Sequence, residues 1–347
     1  MQKTLRPASR AAMLFCAAAA IFHSTAEVRA ATVDIAEQPE TPTSANGTNG
    51  ANNVTNPGST SGVANANGAG GAAGAGGSKT LSFFSLSAET AWQTSADIIG
   101  GGGDFSAWSR KASVGYFYKN EENAFFANVS WQSNDYDFQG TPAWFADTES
   151  VAALLFYERK ISSDWSLLAN AGGHFSAATD ARLSDGYSGF VGGGVRYRPT
   201  ANLNFFGGLL VTSRIMDDPS WLPYAGIEWT IDKHWSLKTK GASLTLGYDV
   251  EGDGMLLFEL AGTYRGGRYL LARDTYAGAR RDRDLETREG VVTLAMTRTF
   301  FDRAAYLSAG VGALLYSKHK IRSHGHTIGE FRTDPAAVFH VEVGVRF

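Results

Sequence analysis

Apolar and polar residues alternate with a period of two along most of the chain from residue 81 to residue 347. The final segment is the clearest, because every second residue of it is apolar and the residues between are His340, Glu342, Gly344 and Arg346. A period of two places one set of side chains on each face of a β-strand and does not fit a helix. The apolar set of this last strand is Phe339, Val341, Val343, Val345 and Phe347.

Two all-β architectures fit many alternating strands, namely a soluble sandwich and a transmembrane barrel. The strand patterns run for about 10 to 14 residues, which suits a tilted crossing of a bilayer better than a soluble sheet. Short turns alternate with long polar connections, and aromatic residues cluster near the strand ends, as in outer-membrane barrels. The long connections are predicted at 95–107, 135–147, 176–186, 272–287 and 319–336. The pattern therefore predicts a transmembrane antiparallel up-and-down β-barrel.

The alternation predicts about 14 strands, with about 12 as the alternative, because a barrel of this type has an even number. The least distinct feature is the short hairpin at Lys240-Gly241, and merging its two arms would leave an odd number of strands. The predicted strands lie near 80–94, 108–119, 123–134, 148–160, 164–176, 187–198, 202–213, 221–231, 234–240, 243–250, 255–270, 288–300, 304–318 and 337–347.

The N-terminal part lacks this alternation. Residues 1–30 have a basic start and a short apolar stretch, which together predict a cleaved signal peptide for secretion. Residues 31–79 are rich in Ala, Gly, Asn, Ser and Thr, and this composition predicts a disordered linker. The barrel domain is expected at 80–347. Cleavage would remove the single cysteine, Cys16, so we expect no disulfides.

The last strand ends in Phe347 and resembles the C-terminal assembly signal of bacterial outer-membrane proteins. The resemblance implies that the barrel-assembly machinery recognises Phe339, Val341, Val343, Val345 and Phe347. It also implies a multi-pass protein of the Gram-negative outer membrane, in contact with lipid and lipopolysaccharide.

A narrower resemblance covers roughly residues 187–347. These residues look like a family of proteobacterial outer-membrane β-barrels of unknown function, which implies a fold and a location but no ligand or catalytic residue. The segments that carry it are Gly193-Gly194-Val195-Arg196-Tyr197-Arg198-Pro199, Phe206-Gly207-Gly208-Leu209-Leu210-Val211, Leu222-Pro223-Tyr224-Ala225-Gly226-Ile227, Trp235-Ser236-Leu237, Gly266-Gly267-Arg268-Tyr269, Arg281-Asp282-Arg283 and Thr333-Asp334-Pro335-Ala336.

The strand phases place polar residues of both charges on the inner face of the barrel. The candidate lumen-lining residues are Glu89, Asn128, Glu158, His174, Arg196, Glu228, Asp249, Glu259, Glu342 and Arg346. Such a set favours either a mixed-charge pore or a plug of salt-bridged side chains. Gly344 is expected on the same face, where it should tolerate polar substitution better than Val343 on the lipid face.

These residues predict a small, weakly selective diffusion channel for polar solutes, with a closed-lumen structural or surface-adhesion barrel as the alternative. Without the predicted signal peptide and linker, the net charge of the chain changes from -3 to -4. This balance leads us to expect a mild preference for cations.

Other functions have weaker support. The net charge of -3 gives no basic field for nucleic acid, and no phosphate-binding or cofactor motif is present. His324 and His326 could bind a metal but are expected in a solvated loop. The charged run 280–289 is expected at the outer rim, in internal salt bridges or against lipopolysaccharide. Serine and histidine lie close in sequence within 317–326, without a recognised motif, so an enzyme is not expected.

Overall fold

The computed structural model of the chain describes residues 80–215, 217–276, 279–323 and 326–347. The predicted signal peptide and linker lie outside the described residues. Fifteen strands are present in the described part of the chain. They are β1 (Leu81–Asp97), β2 (Asp104–Lys119), β3 (Asn123–Gln139), β4 (Thr148–Lys160), β5 (Trp165–Ala178), β6 (Tyr187–Thr200), β7 (Leu203–Arg214), β8 (Asp217–Thr230), β9 (Trp235–Lys240), β10 (Ser243–Asp249), β11 (Leu256–Tyr276), β12 (Ala279–Phe300), β13 (Ala305–Ser323), β14 (His326–Thr333) and β15 (Ala336–Arg346).

Fourteen of these strands close into one antiparallel barrel. Each strand from β1 to β13 pairs with the next, and β15 pairs with the lower part of β13 and with β1. The remaining strand, β14, pairs with the upper part of β13 and forms a hairpin outside the closed ring. The predicted fold and the count of 14 are therefore confirmed. Closure also means that every strand of the ring has a neighbour on each side.

The outer face of the barrel carries the apolar half of each alternation. Leu86, Val129 and Val343 lie in the middle of this face and are about half exposed. Where the first and last strands of the barrel meet, the ring of Phe84 stacks on the ring of Phe347. The backbones of these two residues also exchange hydrogen bonds of 2.8 and 3.0 Å. An apolar band between aromatic girdles is the surface that a bilayer solvates. The described residues include no helix long and apolar enough to cross a membrane.

Girdle aromatics mark the two ends of the band. The girdle near the short turns includes Tyr157, Trp165, Tyr197, Trp229 and Trp235, and the girdle near the long connections includes Trp92, Trp108, Trp131, Tyr187 and Trp221.

Two of the connections predicted as long polar loops are strands instead. Residues 272–287 fall mainly in β11 and β12, and residues 319–336 fall mainly in β13 and β14. The prediction of loops was wrong at both places, because apolar residues continue at alternate positions among the charges. Leu285 and Ile321, for example, pair with each other and are buried.

The extended strands form a cap over the outer mouth of the barrel. We define the cap as residues 265–276 of β11, 279–289 of β12, 316–323 of β13 and 326–333 of β14, together with the connection 140–147. Its aromatic and aliphatic side chains pack together with Ile98 and Phe105. The cap reaches the far side of the mouth, where Leu270 bridges in parallel to Ala177 of β5.

Candidate functional site

A polar chamber occupies one side of the barrel lumen. It is a cavity of about 260 Å³ and extends from Ser85 and Arg346 near the short turns to Tyr136 and Tyr269 beneath the cap. Alternation places small polar side chains of β1 to β4 toward it, and Ser87 and Ser113 hydrogen-bond across their strands at 2.8 Å. Its hydroxyl and amide lining on these strands consists of Ser85, Ser87, Gln93, Ser109, Ser113, Asn128, Ser130, Gln132, Asn134 and Ser150.

The ten predicted lumen residues all occupy inward-facing register positions, but they do not form one site. Glu89, Asn128, His174 and Arg346 line the polar chamber. The other six lie elsewhere on the inner face and are buried, as follows: Glu158, Arg196, Glu228, Asp249, Glu259 and Glu342.

Three of the six form a buried ion cluster near the short turns. Nη1 of Arg196 lies 2.9 Å from Oε2 of Glu228, and its Nε lies 3.5 Å from Oε1 of Glu158. The Arg196 side chain is only 2% exposed, so each carboxylate offsets the desolvation of the guanidinium. This cluster joins β4, β6 and β8, which fits the salt-bridged plug better than a hydrated pore lining.

Asp249 and Glu342 also have structural partners. The carboxylate of Asp249 accepts backbone hydrogen bonds from Gly252 at 3.0 Å and Gly254 at 2.7 Å, which fixes the turn after β10. The hydroxyl of Tyr306 donates to Oε1 of Glu342 at 2.6 Å.

The same tyrosine corrects the expectation for Gly344. A Cβ atom on Gly344 would overlap the ring of Tyr306, which the hydrogen bond to Glu342 and the guanidinium of Arg346 hold in place. Gly344 does face the lumen, but its neighbour across the strand pair fills the space. A polar side chain therefore has no room there unless Tyr306 moves.

The opposite wall of the lumen is apolar, and the sequence reasoning missed it. Buried side chains of β4 to β8 pack with Phe83, Phe117 and Phe126 into one cluster inside the barrel. The signal was present, because on these strands both alternating faces contain large apolar residues. The members on β4 to β8 are Leu154, Phe156, Leu168, Phe206, Leu210 and Leu222, with Phe190 and Tyr224 packed against them.

The charges at the polar chamber differ from those of the whole barrel. Three basic residues, Lys111, Arg265 and Arg346, and two acidic residues, Glu89 and Glu289, line it. Arg265 and Glu289 form an ion pair with each other. The expected preference for cations, which rested on the net charge of the chain, therefore has no support in the chamber lining.

Two serine–histidine contacts raise the question of nucleophilic catalysis. In the lumen, Oγ of Ser188 lies 2.8 Å from Nε2 and 3.1 Å from Nδ1 of His174. The hydroxyl thus contacts both ring nitrogens, unlike a nucleophile that faces a single nitrogen of its general base. In the cap, Oγ of Ser317 lies 2.9 Å from Nε2 of His319. The sequence reasoning missed the lumen pair because its members are 14 residues apart on paired strands.

Metal-binding geometry is absent from the described part of the chain, where no three His, Cys, Asp or Glu side chains converge. His324 lies outside the described residues, and His326 begins β14.

Comparisons with known proteins give a limited result. No family model matches the chain, and no curated protein does. The narrower family resemblance over 187–347 therefore stays an expectation.

Solved structures of outer-membrane channels are similar in fold. An outer membrane channel from Pseudomonas putida F1 has 10% identity and a TM-score of 0.43, over 76% of this chain and 96% of that chain. The toluene transporter TodX from P. putida has 9% identity and a TM-score of 0.37, over 76% and 89%. OccAB4 from Acinetobacter baumannii has 11% identity and a TM-score of 0.30, over 77% and 98%. Likeness at these TM-scores carries no inference about what this chain conducts.

Proposed function

We propose that this protein is a bacterial outer-membrane channel for the diffusion of small polar solutes. The observation that carries the proposal is the polar chamber, which runs beside the strands that bear Ser85, Gln93 and Tyr136. Its volume of about 260 Å³ is many times the ~10–15 Å³ that a cavity needs to hold one water molecule. Side chains fill the interior of an eight-stranded barrel, whereas a 14-stranded barrel has a wider interior and leaves more space.

The chamber chemistry supports weak selectivity for uncharged, hydroxylated solutes. Serine hydroxyls and carboxamides can each donate and accept hydrogen bonds, so they can replace the water around a small polar solute. The charged residues at the chamber are of mixed sign, and two of them, Arg265 and Glu289, are paired. Neither positive nor negative charge dominates the path, so the size of the solute becomes the main criterion for its passage.

Filling the chamber should slow the solute. Ser130 lines the chamber, whereas its neighbour Val129 lies on the lipid face and is 56% exposed. We expect Ser130→Phe to lower the rate of liposome swelling in glycerol and arabinose several-fold, because the ring would occupy the narrow path. The matched variant Val129→Phe should swell like the unmodified protein.

The alternative function is a closed-lumen structural or surface-adhesion barrel. The cap over the mouth and the buried cluster around Arg196 favour it. Folded protein that gives neither conductance steps in a planar bilayer nor swelling with glycerol would support this alternative and exclude the channel.

A further inference from the structure

The barrel wall has a window above the hairpin of β9 and β10. These two strands have only 6 and 7 residues, whereas their neighbours β8 and β11 have 14 and 21. Pairing between β8 and β9 ends at Glu228 and Lys238, and pairing between β10 and β11 ends at Ser243 and Thr263. Among the described residues, no strand pairs with the edge of β8 above Glu228, and the edge of β11 above Thr263 pairs only through the bridge of Leu270 to Ala177 of β5.

The window lies at the depth of the outer half of the membrane. On β8, Trp229 belongs to the girdle near the short turns, and Trp221, which is 71% exposed, belongs to the outer girdle. The unpaired edge from Trp221 to Gly226 is about 17 Å long at ~3.4 Å per residue. The hairpin turn at Gly241 and Ala242 forms the lower rim. Two missing strands at ~4.8 Å spacing leave about 14 Å between β8 and β11 at that rim.

The cap forms a roof over the window. Leu270 of β11 packs with Ala177 of β5 and with Ile215, which follows β7. Nη1 of Arg268 donates a hydrogen bond of 3.1 Å to the backbone carbonyl of Ile215. These contacts cover the upper side of the window, which faces the water outside the membrane.

On the side of β8, the interior behind the window is apolar. Leu222 and Tyr224 of β8 face inward there and belong to the cluster that includes Leu210 and Phe190. The ring of Tyr224 lies against Gly194 and Gly208, where added Cβ atoms would come within 2.5 and 2.7 Å of its hydroxyl. These glycines therefore leave room for the tyrosine ring just inside the opening.

The unpaired backbone at the window edges favours a passing molecule that has a polar group. Backbone N–H and C=O groups at membrane depth are tolerated without strand partners only where they line a cavity or contact protein. A molecule that passes such an edge gains from hydrogen-bonding groups as well as from an apolar body. Across the lumen, the serine-lined chamber offers further hydroxyl partners.

We propose that this window is a lateral entrance through which small amphipathic molecules, with an apolar ring or short chain and a hydroxyl or carbonyl group, pass from the outer leaflet into the lumen. This proposal rests on the proposed channel function and names a second route and solute class for it.

Fluorescence quenching from the lipid phase tests the entrance. The full chain with Cys16→Ser is folded into liposomes, and a small thiol-reactive dye is attached at Tyr224→Cys. Phospholipids with a nitroxide on the acyl chain should quench this dye at least half as strongly as they quench a dye at the lipid-facing Ala225→Cys. A dye at Phe190→Cys, which faces the lumen behind the fully paired wall of β6, should keep its emission.

Filling the window provides the matched variants. Ala225 on β8 faces outward at the side of the window, and Gly262 on β11 faces outward at its lower rim, where nothing lies within 4 Å of an added Cβ. The double variant Ala225→Trp/Gly262→Trp should remove most of the lipid quenching of the dye attached at Tyr224→Cys. Ala153→Trp should not, because Ala153 faces lipid on a complete part of the wall, four residues from Tyr157 as Ala225 is from Trp229.

Benzyl alcohol tests the solute class. It should shift the emission of the dye at Tyr224→Cys at a concentration at least ten-fold lower than glycerol requires, and the double tryptophan variant should abolish this difference. The proposal is overturned if only aqueous iodide, and not the nitroxide lipid, quenches the dye at Tyr224→Cys. It is also overturned if lipid quenching of that dye is missing and Ala225→Cys forms a disulfide-linked dimer, because a second copy of the chain would then account for the missing quenching. Swelling in glycerol is measured separately, so the channel itself can stand when the entrance fails.

Discussion

We expect a single residue, His319, to make the packing of the cap sensitive to pH. The ring lies fully inside an aromatic cage, 4.6 Å from the ring of Phe331 and 5.0 Å from that of Phe105. It is above the outer girdle, where the cap and not lipid surrounds it. Burial lowers the pKa of His319 to about 4, while the carboxylate of Glu289 acts weakly in the opposite direction.

The sign of the effect follows from the depressed pKa. Above pH 6.5 the imidazole is neutral in both the closed and the opened cap, so protonation does not affect the free energy of cap closure. As the pH falls from 6.5 to 4, the opened cap binds a proton that the closed cap does not, so closure loses up to about 3 kcal/mol. Trp144, which packs on Phe331 in the cap, should report this loss by fluorescence.

We expect His319→Phe to remove most of the pH dependence of the Trp144 fluorescence, because phenylalanine fills the aromatic cage and does not titrate. His326→Phe, at the exposed start of β14, should retain the dependence of the unmodified protein. An unmodified protein whose Trp144 emission stays constant between pH 7.5 and pH 4 would contradict the assignment.

Side-chain contacts between strands inside the lumen could not be predicted from the sequence, although the face on which each residue lies could be. Alternation placed Gly344 on the inner face correctly, because a strand's two faces follow from parity alone. It did not reveal that Tyr306 occupies the space beside Gly344, since that contact depends on the register between β13 and β15. The same reason explains why the pair of Ser188 and His174 was missed.

Among the elements, β15 has the strongest division between its faces. Val343 lies on the lipid face between Ala88 of β1 and Leu307 of β13, and it is 48% exposed. We expect Val343→Lys to cost about 2–4 kcal/mol, because the charge would lie near the middle of the bilayer. Unfolding in urea from lipid vesicles, followed by heat-modifiable gel mobility, measures the loss.

The matched control places the same charge inside the barrel. Ser87→Lys on β1 enters the polar chamber, where water and Glu89 are near, and should cost less than half as much. Equal losses for the two variants would mean that β15 does not present Val343 to lipid. The role of Phe339, Val341, Val343, Val345 and Phe347 as an assembly signal stays a prediction beside this test.

Strand number could be predicted from the sequence, but strand length outside the membrane could not. Within the bilayer, lipid solvates one face of each strand, so the outward-facing positions are regularly apolar. Above the outer girdle, the apolar residues of β11 to β14 pack on other protein, as Leu285 and Phe331 do, and charged residues interrupt the pattern. Those charges made residues 272–287 and 319–336 resemble loops.

At the scale of the whole molecule, the barrel divides its interior between two chemistries. The strands β1 to β4, together with β15, present hydroxyls, amides and Arg346 to the chamber, whereas most of the buried aliphatic and aromatic cluster comes from β4 to β8. Inward-facing candidates could be named one strand at a time. Their division into a chamber, a buried ion cluster and an apolar wall depends on which strands lie opposite each other, and only ring closure determines that.

This division predicts which carboxylates control ion selectivity. Glu89 lines the chamber beside Lys111, its partner in the register of β1 and β2, whereas Glu228 is buried and paired with Arg196. Neutralising Glu89 leaves the chamber with one acidic and three basic residues, so Glu89→Gln should shift the reversal potential toward anions in a salt gradient. Glu228→Gln should leave it unchanged, because Glu228 is shielded from the path by its ion pair. A larger shift from Glu228→Gln than from Glu89→Gln would instead place the conducting path through the ion cluster and not through the chamber.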